Sequence, residues 1–245
     1  MNENNENTNS QQQDINENKK SKLSEKKDKS EKIKVKNRKN KKKGIHLGIS
    51  SVVLIVFCIF LLIIATFLQL NITHFIVPSE LFQGKNCDIE DYLYTIKYIP
   101  QIPIVMFVGA FLGRRYGLIS VILYILIGLF VLPVFALGGG WKYIFEYGFG
   151  YILAYIPAVF ILGTILKKGY TNKNILKSIL ISVLTIHIIG ISYMLILAGL
   201  KHAGWDFVSH WITAQSGLKI VYDIIFSFFA VFIAKYARVI LWFYL

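Results

Sequence analysis

LGISSVVLIVFCIFLLIIATFLQL, Leu47–Leu70, runs for 24 residues without an Asp, Glu, Lys, Arg or His. A helix needs about 20 apolar residues to cross the hydrocarbon core of a bilayer. This stretch, and several like it further along, place the chain among integral membrane proteins. Of the 245 residues, 55% are hydrophobic and the mean hydropathy is positive.

The segment before the run is its opposite. Residues 1–43 hold 14 of the 27 Lys/Arg and 7 of the 14 Asp/Glu, with few apolar side chains. Such a segment buries too little surface to offset its ordering entropy, so residues 1–45 are expected to be a disordered Lys/Asn-rich tail. It reads as a solvated cytoplasmic anchor for the first span. Contact of its basic part with nucleic acid or anionic lipid is the alternative, and on the favoured reading no nucleic-acid partner is expected. The charged region and the apolar run are both too long for a secretory signal, and no A-x-A-like site lies after them. Cys58 and Cys87 suggest neither a disulfide framework nor a metal site.

Downstream of the run, the chain reads as five more helices, giving six: Leu47–Leu70, Tyr94–Gly113, Leu118–Phe135, Phe149–Leu166, Ile175–Leu200 and Gly217–Phe243. Pro100 and Pro103 should leave the second kinked or short. The expected architecture is therefore an all-α membrane protein, a six-transmembrane-helix bundle over residues 46–245 behind the tail. Connection charges alternate. Glu80, Asp88, Glu90 and Asp91 outweigh Lys85 in the first connection, Arg114 and Arg115 make the second basic, and Lys142 and Glu146 balance in the third. Lys167, Lys168, Lys173 and Lys177 make the fourth basic, and the fifth is near neutral. By the positive-inside rule both termini face the cytoplasm, with Trp141, Trp205 and Trp211 forming an outer aromatic belt.

The third connection, LPVFALGGGWKYIFEYGFGY from Leu132 to Tyr151, is too particular for a plain chain reversal. Pro133 ends the third helix, and Gly138, Gly139 and Gly140 allow positive φ and close backbone approach. Backbone without helical partners at this depth must be buried or line a wet cavity. Trp141, Tyr143, Glu146, Tyr147 and Tyr151 supply flat rings and an acceptor for a small ligand. With the outward connection holding GWDFVSHW, this segment is expected to roof a pocket. The plainer alternative is a flexible turn with an interfacial tryptophan.

PQIPIVMFVGAFLGRRYGLISVILYILIGLFVLPVFALGGG, with FGYILAY after it, resembles the BioY family, the biotin-binding S components of energy-coupling-factor (ECF) importers. The resemblance covers Tyr98 to Tyr155 well and the sixth helix weakly. It implies a six-helix S-component fold, high-affinity biotin binding under the outward loops, and coupling to an ECF transmembrane subunit and ATPase subunits. The Asn that family members carry in the glycine loop stands here as Gly139. Their P-G-D-x-x-K, aligned on its lysine, places Lys219 and puts Ser216 at the aspartate; aligned on its glycine, it uses Gly217 and loses both charged residues. The A-x-x-x-A docking motif of S components is absent from Leu47–Leu70.

Ionisable residues inside a span are functional candidates by default. Lys219 and Asp223 are four apart on one helix face. Lys219 suits a carboxylate, while Asp223 and Glu146 suit ureido N–H groups; the alternative is that Lys219 and Asp223 neutralise each other. The candidate site is thus Gly138, Gly139, Gly140, Trp141, Glu146, Tyr151, Lys219 and Asp223. His187 reads as hydrogen-bonded between helices, and Gly109 and Gly113 as a small pair for close helix packing.

Other classes rank lower. An intramembrane enzyme lacks a G-x-S-G-like nucleophile and any metal-ligand cluster, so no catalytic residue, cofactor or metal is assigned. An S component or carrier for a different vitamin remains open, because these folds share architecture while differing in ligand. No G-x-x-x-x-G-K-[ST] is present, so ATP-driven uptake requires other subunits.

Overall fold

In the computed structural model, residues 48–77, 81–82, 84 and 88–244 are described; the expected tail, Glu80, Lys85 and Cys87 lie outside them. Helix α1, Ile49–Phe67, carries Val53, Phe57, Phe60 and Ile64 outward and buries Ile55, Cys58, Ile59 and Leu62. An apolar outer face and an apolar inner face together are what a bilayer-spanning helix requires.

Strands β1, Leu70–Phe75, and β2, Leu93–Tyr98, then form an antiparallel pair in the register Thr73↔Thr95. This corrects two expectations: the protein is mostly helical rather than all-α, and no helix begins at Tyr94. The reason is local. Asn71-Ile-Thr and Tyr94-Thr-Ile are rich in β-branched and aromatic residues, which favour a pleated ladder. The Thr73 and Thr95 hydroxyls lie 2.9 Å apart across it. Pro100 then caps helix α2, and Pro103 sits in its first turn, where a missing N–H costs no ladder bond.

Helix α2, Gln101–Phe130, is interrupted at Gly113, whose backbone is non-helical, with φ 73° and ψ −179°. Two distances show that the chain doubles back there. Gln101 Nε2 donates to Tyr124 Oη at 2.7 Å, whereas 23 residues of straight helix would separate them by about 35 Å. A Cβ on Gly117 would stand 3.2 Å from Gly109 Cα. The expected second and third spans are therefore two antiparallel arms joined by a turn at Gly113. Gly113 makes that turn rather than a helix contact. Gly109 does serve packing, since a Cβ on it would meet Leu162 at 2.9 Å.

Helices α3, Phe149–Leu153, and α4, Tyr155–Leu166, together form one apolar span. Helix α5, Asn172–Leu200, starts at Thr171, whose hydroxyl accepts from Asn174 N at 3.3 Å. GWDFVSHW, expected in a loop, is helical: α6, Trp205–Ser216, begins after Gly204 and places Asp206 at the electropositive end. Helix α7, Lys219–Tyr244, closes the chain. Among the described residues five helical stretches are long and apolar enough to cross a membrane. The doubled-back α2 counts as one of them, and α6 and α7 merge in the last.

Helix α2 packs against α1, α4 and α7, and α5 against α3, α4 and α7. Several polar groups inside this core are hydrogen-bonded to one another, although the buried Ser227 Oγ has no partner among the described residues. Gln101 Nε2 also donates to Thr66 Oγ1 at 2.9 Å, and Thr66 Oγ1 lies 3.0 Å from Tyr124 Oη. That knot ties α1 to both arms of α2. Ser182 Oγ donates to Ala158 O at 3.0 Å, joining α5 to α4.

Candidate functional site

The segment after α2 folds back on the helix it leaves. Phe135 and Gly138 exchange backbone hydrogen bonds of 2.8 and 2.9 Å, and Gly140 N donates to Gly128 O at 2.9 Å. Gly138 and Gly140 have positive φ of 115° and 88°. A Cβ on Gly139 would lie 2.6 Å from Pro133 Cα. The three glycines thus shape this reversal and drive Phe135 into the core, against Gly128 and Tyr124. The next turn of chain, a 3₁₀-helix over Trp141–Phe145, points Tyr143 inward.

Beneath this segment lies a cavity of about 490 Å³, inside the size range of small-molecule pockets. Tyr143, Tyr147, Tyr151 and Tyr155 line one side, and Phe207 and Trp211 of α6 another. Leu137, Ile99 and Ile102 add apolar wall. Among the described residues, the charged ones on the lining are Glu146, exposed at the segment's end, and Lys219, half-buried at the start of α7. Gln101 and Gln215 add amides, and Lys219 Nζ donates to Gln215 Oε1 at 3.3 Å. Burial first, and Glu146 in addition, hold the Tyr143 phenol above its ordinary value, so it meets a ligand as a neutral O–H.

Helix α6 covers the cavity. Tyr147 lies 5.1 Å from the Phe207 ring and 6.4 Å from that of Trp211. Lys201 Nζ donates to Phe145 O at 2.7 Å and sits 4.6 Å above the Tyr147 ring. Tyr193 donates to Ile144 O. Gly190 makes room for Tyr151, since a Cβ there would be 2.5 Å from its ring. A second cavity of about 580 Å³ lies beside the hairpin, lined by His74, Tyr94 and Lys97. It shares Gln215 and Lys219 with the first, so these two side chains stand between the chambers.

Of the eight candidate residues, Glu146, Tyr151 and Lys219 line the first cavity together. Gly138, Gly139, Gly140 and Trp141 are not among its lining residues, and Trp141 is 59% exposed. Asp223 is fully buried behind the wall, bonded to neither the cavity nor Lys219. Its carboxylate accepts from Tyr98 Oη at 2.8 Å and lies 3.2 Å from His187 Nε2. His187 Nδ1 is 2.9 Å from Ser216 Oγ, which is 2.5 Å from Tyr151 Oη. A polar chain therefore runs from Tyr151 through Ser216, His187 and Asp223 to Tyr98, joining α3, α6, α5, α7 and β2. Burial and the Asp223 carboxylate raise the Tyr98 phenol above its ordinary value and keep it a donor.

Serine, histidine and aspartate in one chain of bonds invite comparison with a hydrolytic triad. Here Ser216 is 6% exposed and stands behind Tyr151, off the cavity wall. The arrangement holds the wall in place. Sequence reasoning passed over Gln101, Gln215 and Tyr155. Gln215 was detectable as the amide four residues before Lys219, but a buried amide or tyrosine in an apolar run carries no signal of which cavity it faces.

Comparison with known proteins agrees with this architecture. The BioY family profile matches residues 35–241. A curated relative from Lysinibacillus sphaericus, "Probable biotin transporter BioY", is 32% identical over 101 residues, 40% of this chain; the chain spans about half (52%) of that relative's length. A crystal structure of the S-component for biotin from an ECF-type ABC transporter superposes with a TM-score of 0.56 at 22% identity, covering 78% of this chain and 91% of the other. That likeness is one of fold. With a match over most of its length, the chain belongs to the BioY family.

Proposed function

We propose that this protein captures biotin from outside the cytoplasmic membrane as the substrate-binding S component of an ECF-type importer. Six crossings, counting the arms of α2 separately, would leave both termini cytoplasmic and the α6 roof outside. Family membership, the biotin transporter relative and the biotin S-component fold all support this reading. The observation that carries it is the cavity itself, with aromatic walls, one ammonium and several hydrogen-bonding groups.

Biotin's bicyclic ring would lie among Tyr147, Tyr151 and Trp211, where flat apolar surface meets hydroxyl groups. Its carboxylate would pair with Lys219, and Glu146, Gln101 and Gln215 would serve the ureido group. Asp223 acts indirectly: by anchoring His187, and through it Ser216, it positions Tyr151. Gly138–Gly140 and Trp141 support the segment that carries Leu137 and Tyr143. Binding needs no nucleotide; an ECF coupling subunit and ATPase subunits would drive transport, and no catalytic role is assigned.

The test is titration of the detergent-purified chain with biotin, monitored by tryptophan fluorescence without ATP. A saturable change is expected, since Trp211 lines the cavity. No response to biotin, but one to another carboxylated vitamin, would keep the S-component reading and change its ligand.

A further inference from the structure

A third cavity, of about 500 Å³, lies far from the tyrosine-walled pocket. It forms where the Gly113 turn, the α4–α5 connection and the last third of α7 meet. Arg114, Arg115, Lys167 and Arg238 line it, and no carboxylate is among the described residues that line it. Asp223, on the same helix as Arg238, is 15 residues away, about 22 Å along the axis.

The cavity is built rather than incidental. The reversal at Gly113 leaves the Ala110 carbonyl to side-chain donors. Tyr170 Oη donates to it at 2.6 Å, and Arg238 Nη1 donates to Tyr170 Oη at 2.8 Å and to Ala110 O at 3.4 Å. A Cβ on Gly163 would lie 2.6 Å from Arg114 Cα, so glycine there admits the Arg114 backbone. The Arg114 guanidinium sits 5.2 Å from the Phe160 ring. Arg238's partners among the described residues are neutral oxygens and a ring. They orient a guanidinium without compensating its charge, which leaves a fork suited to phosphate oxygens.

We propose that this cavity binds the phosphodiester head group of an anionic membrane phospholipid. Exposed apolar side chains on the same helices favour a lipid over a soluble phosphate: Phe160 on α4, and Val239 and Ile240 beside Arg238 on α7. They offer acyl chains a surface next to the cations. Basic pockets between membrane helices suit anionic head groups for this reason. The cavity also falls at the end of the bundle that the charge alternation assigns to the cytoplasm.

The full chain in neutral detergent, mixed with phosphatidylglycerol or phosphatidylcholine of matched acyl chains, tests this by native mass spectrometry. Phosphatidylglycerol should be retained preferentially, by about fivefold for each cation engaged. Arg238→Gln should lower that preference. Arg115→Gln with Lys167→Gln should do so without disturbing the Ala110 cluster. Biotin titration should be unchanged in this double variant. A preference that persists in both variants would belong to the basic N-terminal residues and overturn the proposal. Equal retention of both lipids, displacement by millimolar glycerol 3-phosphate, or binding of an acidic peptide instead would overturn it equally.

Discussion

In the proposed biotin complex, ligand charge would turn on Lys219. Its ammonium faces the cavity and bonds a neutral amide, that of Gln215, while Asp223 is engaged elsewhere. A charge-assisted bond to a buried carboxylate contributes about 1.5–3 kcal/mol. Lys219→Ala should therefore weaken biotin binding roughly tenfold to a hundredfold, measured by equilibrium binding of labelled biotin, with Lys219→Arg intermediate. The tryptophans make a second contrast. Trp211 lines the cavity and Trp141 is exposed. Trp211→Ala should abolish most of the biotin-dependent fluorescence change; Trp141→Ala should leave most of it.

At the scale of elements, two features are exposed to test. Gly113 sits at φ 73° in the turn between the arms of α2. A side chain in this glycine-only region costs about 1–3 kcal/mol of backbone strain, so Gly113→Ala should lower the thermal midpoint in detergent and leave biotin affinity nearly unchanged. The buried Asp223 depends on Tyr98 and His187. Tyr98→Phe removes one donor to a carboxylate, about 1.5–3 kcal/mol. His187→Ala removes the imidazole that Asp223 bonds and also leaves a gap in the core, about 2–5 kcal/mol. Thermal unfolding should show the histidine variant as the less stable of the two.

These elements also show what the sequence could and could not disclose. The apolar runs of α1, α3–α4, α5 and α7 were legible because bilayer thickness dictates their length. The hairpin was not, because TIKYIPQIPIV reads as one apolar stretch until Pro100 is recognised as a start rather than a kink. The α6 helix hid behind Gly204 and an aspartate- and histidine-bearing run that resembles a loop. Lys219, Glu146 and Tyr151 stood out by charge or by neighbouring glycines. Asp223 stood out equally, yet its partners come from β2 and α5, and no spacing along α7 reveals them.

For the molecule as a whole, the feature with the widest reach is that Lys219 and Gln215 belong to both chambers on the hairpin side. On the proposed reading, an incoming carboxylate would meet in the hairpin-side chamber the same ammonium that would later hold it in the pocket. Long-range attraction to such a charge governs arrival and is screened by electrolyte, over about 8 Å at 0.15 M. Departure would instead require α6, which packs on Tyr147 through Phe207 and Trp211, to lift from the tyrosine wall. Stopped-flow records at rising sodium chloride should thus show slower capture with an unaltered off-rate, the kinetic imprint of one doorkeeper serving two rooms.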